Sequence, residues 1–182
     1  MSSHISRLVQ SYQNYISLPW EKGLAGVQKV IFAVYDNAEE LRIRSQVGEF
    51  EIATKVAKHG WHLIDITDAF PQWMIKQEYC DGFFEYPDDL QDSMGDFTET
   101  VVDSIKEQLD AVDENTVVAL QGIAGVFGFS HCSQIVAKVA SNVKGRLLVL
   151  FPGEYENNNY RLLDARPGWD YQAVPITSND QL

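Results

Sequence analysis

VVALQGIAGVFGFSHCSQIV, residues 117–136, is the stretch whose reading decides the fold. Val117 to Leu120 is a short, almost wholly apolar run, the composition of a strand buried on both faces. Gly122, Gly125 and Gly128 interrupt it at intervals of three. From about Ser130 to Asn142, Ile135, Val136 and Val139 then recur at helical spacing. Strand, glycine-rich loop and helix together form the unit from which parallel sheets with helical crossovers are built.

The same alternation runs along the rest of the chain. KVIFAVYD (29–36), WHLIDIT (61–67) and GRLLVLFPG (145–153) read as three further buried strands. From Ala38 to His59, Ile43, Val47, Phe50, Ala53 and Ala57 make one apolar stripe. Asp36 and Asn37 stand where a cap belongs, and Gly60 where the helix stops. Glu39 and Glu40 near the start and Lys55 and Lys58 near the end suit the helix dipole. Residues 4–16 place Ile5, Leu8, Val9, Tyr12, Tyr15 and Ile16 at the spacing of an N-terminal helix. DAFPQWMIKQEY (68–79) predicts a short helix capped by Asp68. DGFFEYPDDLQDSMG (81–95), acidic and without periodicity, reads as a surface loop. Asp96 then opens a helix that buries Phe97, Val101, Ile105 and Leu109, with Glu99 as capping-box partner. After Gly153 the pattern changes: YRLLDA (160–165) and YQAVPI (171–176) flank RPGWD and admit a terminal strand pair. The expected fold is α/β: one domain over residues 1–182, with a mostly parallel, Rossmann-like sheet of four to five strands and helices on both faces.

Composition narrows the function. The 182 residues include 14 basic and 26 acidic ones, for a formal net charge of −12. Nucleic-acid affinity comes from neutralising phosphates with Lys and Arg, so direct nucleic-acid binding is not expected. Basic protein surfaces are the better-matched partners. No apolar run approaches the roughly 18 residues of a membrane span. MSSHISRLVQSY lacks the basic segment and continuous apolar core of a secretory signal. Cys80 and Cys132 have neither metal-ligand spacing nor the pattern of a disulfide framework, so a cytoplasmic setting is expected.

Each motif also admits a purely structural role. A phosphate loop needs G-x-x-x-x-G-K-[ST]; here Gly122 to Gly128 is one residue too long and Phe129 replaces the Lys. Gly122, Gly125, Gly128 and Ser130 therefore remain only an alternative nucleotide or phosphate site, next to the reading of a tight turn or docking surface. GFSHC lacks the second glycine of a nucleophile elbow, and helix capping is the simpler role for Ser130. Asp36, Asp65, Asp68 and Glu154 fall near strand ends, which share one edge in a parallel sheet. Asp36, Asp65 and Glu154 form an alternative cation site, although Asp36 and Asp68 also sit where helix caps belong. His59 and His62 straddle a helix end and a strand start, and no third ligand is near in sequence. No complete catalytic set or cofactor motif emerges, so the chain is expected not to be an enzyme.

LVLFPGEYENNNYRLLDARPGWDY (148–171) is the least ordinary stretch. Tyr155, Tyr160, Arg161, Arg166 and Trp169 are residue types enriched at binding hot spots, and are equally suited to packing over a sheet edge. This stretch resembles the C-terminal signature of the BrxB family of BREX (bacteriophage exclusion) systems. KVIFAVYD, FEIATKVAKHGWHLIDITDAF and DENTVVALQGIAGVFGFS are similar too, so the resemblance runs from about residue 5 to 177. It implies a component of a phage-defence assembly alongside an adenine methyltransferase, an alkaline-phosphatase-like protein and a large AAA-type ATPase. It carries over no catalytic residues. The expectation is an adaptor that binds the phosphatase-like protein, the ATPase or both, with self-association through residues 4–16 as a further possibility.

Overall fold

Three runs with no polar face form the centre of the sheet. Every residue of β1 (Val30–Tyr35) and β3 (Thr116–Gln121) is buried, as are the first seven of β4 (Arg146–Glu156). Strands of this kind can lie only where helices or other segments cover both faces. The computed structural model of the chain describes residues 4–163 and 168–179.

With β2 (Gly60–Asp65) and β7 (Val174–Ile176), these strands run in the order β2-β3-β4-β1-β7, and every pairing is parallel. β5 (Asn159–Leu162) pairs antiparallel with the end of β4, and β6 (Trp169–Asp170) antiparallel with β5. The expectation of a Rossmann-like sheet of four to five parallel strands is therefore corrected to a seven-stranded mixed sheet in an α/β fold. The mixing has a local cause. β4 pairs with β3 up to Val149 and with β1 up to Pro152; beyond it, Gly153–Glu156 has β5 as its partner, and burial changes from continuous to alternating. Gly153 is needed there, because a Cβ would come within 2.0 Å of the Arg161 carbonyl oxygen.

Alternation along the strands divides the core. Phe32, Val118, Leu120, Leu147, Val149 and Phe151 face one layer, built on α4 (Ala69–Met74), α7 (Met94–Asp110) and α8 (Cys132–Val139). Ile31, Ala33, Val117, Ala119, Leu148 and Leu150 face the other, built on α1 (His4–Ile16) and α3 (Val47–Val56). The chain leaves β1 across the second layer to reach β2, then returns across the first to β3 and β4. Opposite directions over opposite faces keep one crossover hand throughout. Tyr12 ties α1 to α3: its hydroxyl is 2.6 Å from Thr54 Oγ1 in a buried contact. Thr54 donates its proton to the Phe50 carbonyl at 2.7 Å, so Tyr12 is the donor between the two hydroxyls.

Several element boundaries differ from expectation. The helix read over 38–59 is a 3₁₀ turn, α2 (Glu40–Ser45) and α3, interrupted at Gln46. The left-handed residue at its end is Lys58 (φ 66°), whereas Gly60 opens β2. The loop read over 81–95 contains α5 (Cys80–Glu85) and α6 (Pro87–Asp92), and α7 begins at Met94 with no side-chain cap. YQAVPI does not pair with YRLLDA; β7 joins β1 at the edge of the parallel sheet.

Phe32 is fully buried, and its ring meets Tyr160 at 4.6 Å, Phe151 at 5.1 Å and Trp169 at 5.5 Å between centroids. Phe32→Ala is expected to lower unfolding free energy by about 3–5 kcal/mol, and Phe32→Leu by much less. Urea unfolding followed by tryptophan fluorescence measures both.

Candidate functional site

Parallel strands end on one edge, and here the part of that edge at the ends of β2 and β3 is closed by its own residues. Asp65 and Gln121 end β2 and β3 side by side. The Asp65 carboxylate accepts from Gln121 Nε2 at 2.8 Å and from the Thr67 backbone N–H at 2.9 Å. Partial burial alone would push this carboxyl up; the hydrogen bonds from Thr67 and Gln121 and the charge of Arg44 outweigh it, so its pKa lies below the ordinary value. Thr67, held in this way, fills the glycine loop. A Cβ on Gly122 (φ +87°) would lie 2.4 Å from the Thr67 nitrogen, and one on Gly125 would lie 2.6 Å from the Thr67 carbonyl oxygen. Two of the three glycines therefore admit a neighbouring backbone, which takes the space a phosphate would need. The turn they form also buries Ile123 and Val126.

The candidate cation ligands do not converge. Asp36 and Glu154 line one cleft with Glu39 and Glu156, whereas Asp65 lines another between α4 and α7. Asp36 accepts from the Ala38 N–H at 2.8 Å, which is its expected capping role. Among the described residues no group of three or more His, Cys, Asp or Glu side chains is arranged to hold a metal ion. His59 stacks on Trp20 at 3.9 Å and hydrogen-bonds Asn115, while His62 hydrogen-bonds Gln108.

The third glycine lies elsewhere. Gly128 (φ +86°) and Ser130 border an open cavity of about 860 Å³, together with Met94 and Thr98 of α7, His131 and Gln134 at the start of α8, and Tyr160 and Trp169. Two stretches separated in sequence thus share one cavity. Ser130 Oγ shares a hydrogen bond with Thr98 Oγ1 at 2.9 Å, and Phe129 stacks on Phe70 at 3.7 Å. Phe127 stays 38% exposed. Cys132 is buried, and burial pushes its thiol far above the ordinary value, which opposes a thiolate nucleophile.

The residues expected to touch a partner separate in the structure. Tyr160 is 1% exposed, packs on Phe32 and Phe151, and donates its hydroxyl to the Ala173 carbonyl at 2.9 Å. Its expected surface role is corrected to a core role, because β5 turns it inward over the sheet. Trp169 and Tyr155 are half-buried against the same cluster. Arg161 pairs with Glu154 at 3.2 Å on the outer side of the hairpin. Arg166 lies outside the described residues.

The most exposed aromatic side chains lie at the end of the helix read over 68–79 and in the stretch read as a surface loop over 81–95. Tyr79 is 74%, Phe84 73% and Tyr86 64% exposed, and Ile75 just before them 75%. They stand on the helical arm α4–α6, which is anchored by Trp73, Met74, Cys80, Phe83 and Leu90 packing on the core. The sequence signal was present in FFEYP, where aromatic and acidic residues interleave. Without helical periodicity it showed neither structure nor exposure.

A family model described as BREX protein BrxB matches residues 62–176, more than half of the chain. That span begins within β2 and takes in the arm, the glycine loop and the C-terminal hairpin. No curated protein and no solved structure matches the chain.

Gly122→Ala and Gly125→Ala are each expected to destabilise by about 1–3 kcal/mol, the first through strain and both through collision with Thr67. Gly48→Ala, on an open helical face, should stabilise by about 0.5 kcal/mol. Denaturant unfolding of the three variants checks the contrast. Asp65 stabilises the fold fully above its unfolded-state value of about 4, and that contribution disappears as pH falls through its lower folded-state value. Asp65→Asn should remove this part of the acid-side loss of stability, as measured by urea unfolding across the acid range.

Proposed function

The chain belongs to the BrxB family and is thus a component of a BREX phage-defence system, and we propose that it acts there as a non-catalytic adaptor. The observation that carries this reading is the arm. Ile75, Tyr79, Phe84 and Tyr86 expose large apolar surfaces on elements that the core holds in place. Tyrosine and other aromatic side chains dominate binding energy at protein interfaces, and gathered apolar exposure marks surfaces that a partner covers. At the carboxyl ends of β2 and β3, on the edge where α/β proteins usually bind ligands, Thr67 and the Asp65–Gln121 pair take up the space.

The partners this reading names are the alkaline-phosphatase-like protein and the AAA-type ATPase of the same gene cluster. Co-purification of the tagged chain with each, at modest salt, is the test. At least one should be retained, and Tyr79→Ala/Phe84→Ala/Tyr86→Ala should weaken that binding by about tenfold or more. Retention of neither would remove the adaptor reading.

One observation favours a second reading. Gly128 and Ser130 border a cavity of about 860 Å³, within the size range of small-molecule sites. A nucleotide or other phosphate compound bound there would stabilise the native state. A thermal-shift screen with nucleotides and Mg²⁺ decides it, and no shift at millimolar ligand excludes it.

A further inference from the structure

The arm that exposes these side chains is also strongly acidic. From Ile75 to Asp92 stand Glu78, Asp81, Glu85, Asp88, Asp89 and Asp92, against one cation, Lys76, in a chain whose net charge is −12. Among the described residues none of these six carboxylates makes an ion pair or a side-chain hydrogen bond. Asp81 and Glu85 lie four apart on α5, and Asp88 and Asp92 four apart on α6. Like charges at that spacing repel across a helix face. Asp81, Asp88 and Asp89 gain from the first-turn dipole, but Glu85 and Asp92 sit in last turns, where a negative charge is disfavoured. On α2 and α3, by contrast, Glu40 pairs with Arg44 at 2.8 Å and Glu51 with Lys55 at 2.5 Å. The arm leaves its own unpaired.

These carboxylates alternate with Tyr79, Phe84 and Tyr86. A guanidinium or ammonium group reaching the arm finds both exposed carboxylates and exposed aromatic rings there, and both attract a cation. Nucleic acid and anionic lipid would be repelled, and a second copy would bring the same charges face to face. We infer that the α4–α6 arm is the docking face for a basic, Arg- and Lys-bearing protein surface. This rests on the adaptor reading and adds the chemistry of the partner.

The test uses the full chain and whichever purified companion protein of the gene cluster it retains, with affinity measured by titration calorimetry over a salt series. Glu85→Gln/Asp88→Asn/Asp89→Asn keeps side-chain size and leaves the core untouched. It should weaken binding about tenfold at low salt and flatten the salt dependence. Heparin, a polyanion, should displace the chain by competing for the partner's basic face. Leu41→Ala/Ile52→Ala/Val56→Ala, changing exposed residues of α2 and α3, should bind as the parent chain does. If the charge variant keeps the parent's affinity and salt dependence while the aromatic variant loses binding, the basic partner is overturned and the adaptor stands. If the parent chain binds no companion, both fall. A solution mass of twice the chain's that the aromatic variant halves would assign the face to a second copy and also overturn the inference.

Discussion

The structure depends on the burial of β1 on both faces and along both edges. It lies between β4 and β7, although the next strand in sequence lies at the far side of the sheet. Its six residues serve two cores at once, Phe32 toward α7, α8 and the aromatic hairpin, and Ile31 and Ala33 toward α1 and α3. A one-residue slip would exchange these sets and place the Phe32 ring where Ala33 now fits. The parallel register of Val30 with Leu147 through Tyr35 with Pro152 therefore fixes where each strand ends. That in turn places Asp65, Gln121 and the glycine loop on one edge.

At that edge the fold makes use of a different constraint. An α/β sheet commonly leaves a crevice at its carboxyl ends for a ligand. Here Asp65 draws the Thr67 backbone across the ends of β2 and β3, and Gly122 and Gly125 lack the side chains that would block it. The loop has the outward form of an anion cradle, but its occupant is part of the chain. Apolar and charged surface is displayed elsewhere, on short helices inserted between β2 and β3. Such an insertion tolerates unusual surface chemistry because the sheet's register does not pass through it.

The strands were legible because burial on both faces leaves continuous apolar runs, and VIFAVY and LLVLF admit few other readings. α1 was legible because its 3.6-residue periodicity is intact from Ile5 to Ile16. In the arm, α4 was legible as a short helix, but α5 and α6 were not, because two six-residue helices are too short to show a period and their apolar residues point both inward and outward. The C-terminal aromatics were recognised as unusual, but composition could not separate a contact surface from a core. Tyr160 went inward because β5 folds back on β4 and carries its ring onto Phe151 and Phe32.

The sequence by itself determined the alternation of strands and helices, the acidic charge, and through its motifs the family to which the chain belongs. These are local properties: each is carried by neighbouring residues or by their sum. Only the tertiary structure decided that the sheet is mixed, that Thr67 closes the glycine loop, and that the aromatic and acidic side chains of the arm stay exposed. Each of these depends on which distant segments meet, as when residue 67 enters a loop that begins at residue 122. Such meetings are set by the packing of the whole chain, which no local pattern records.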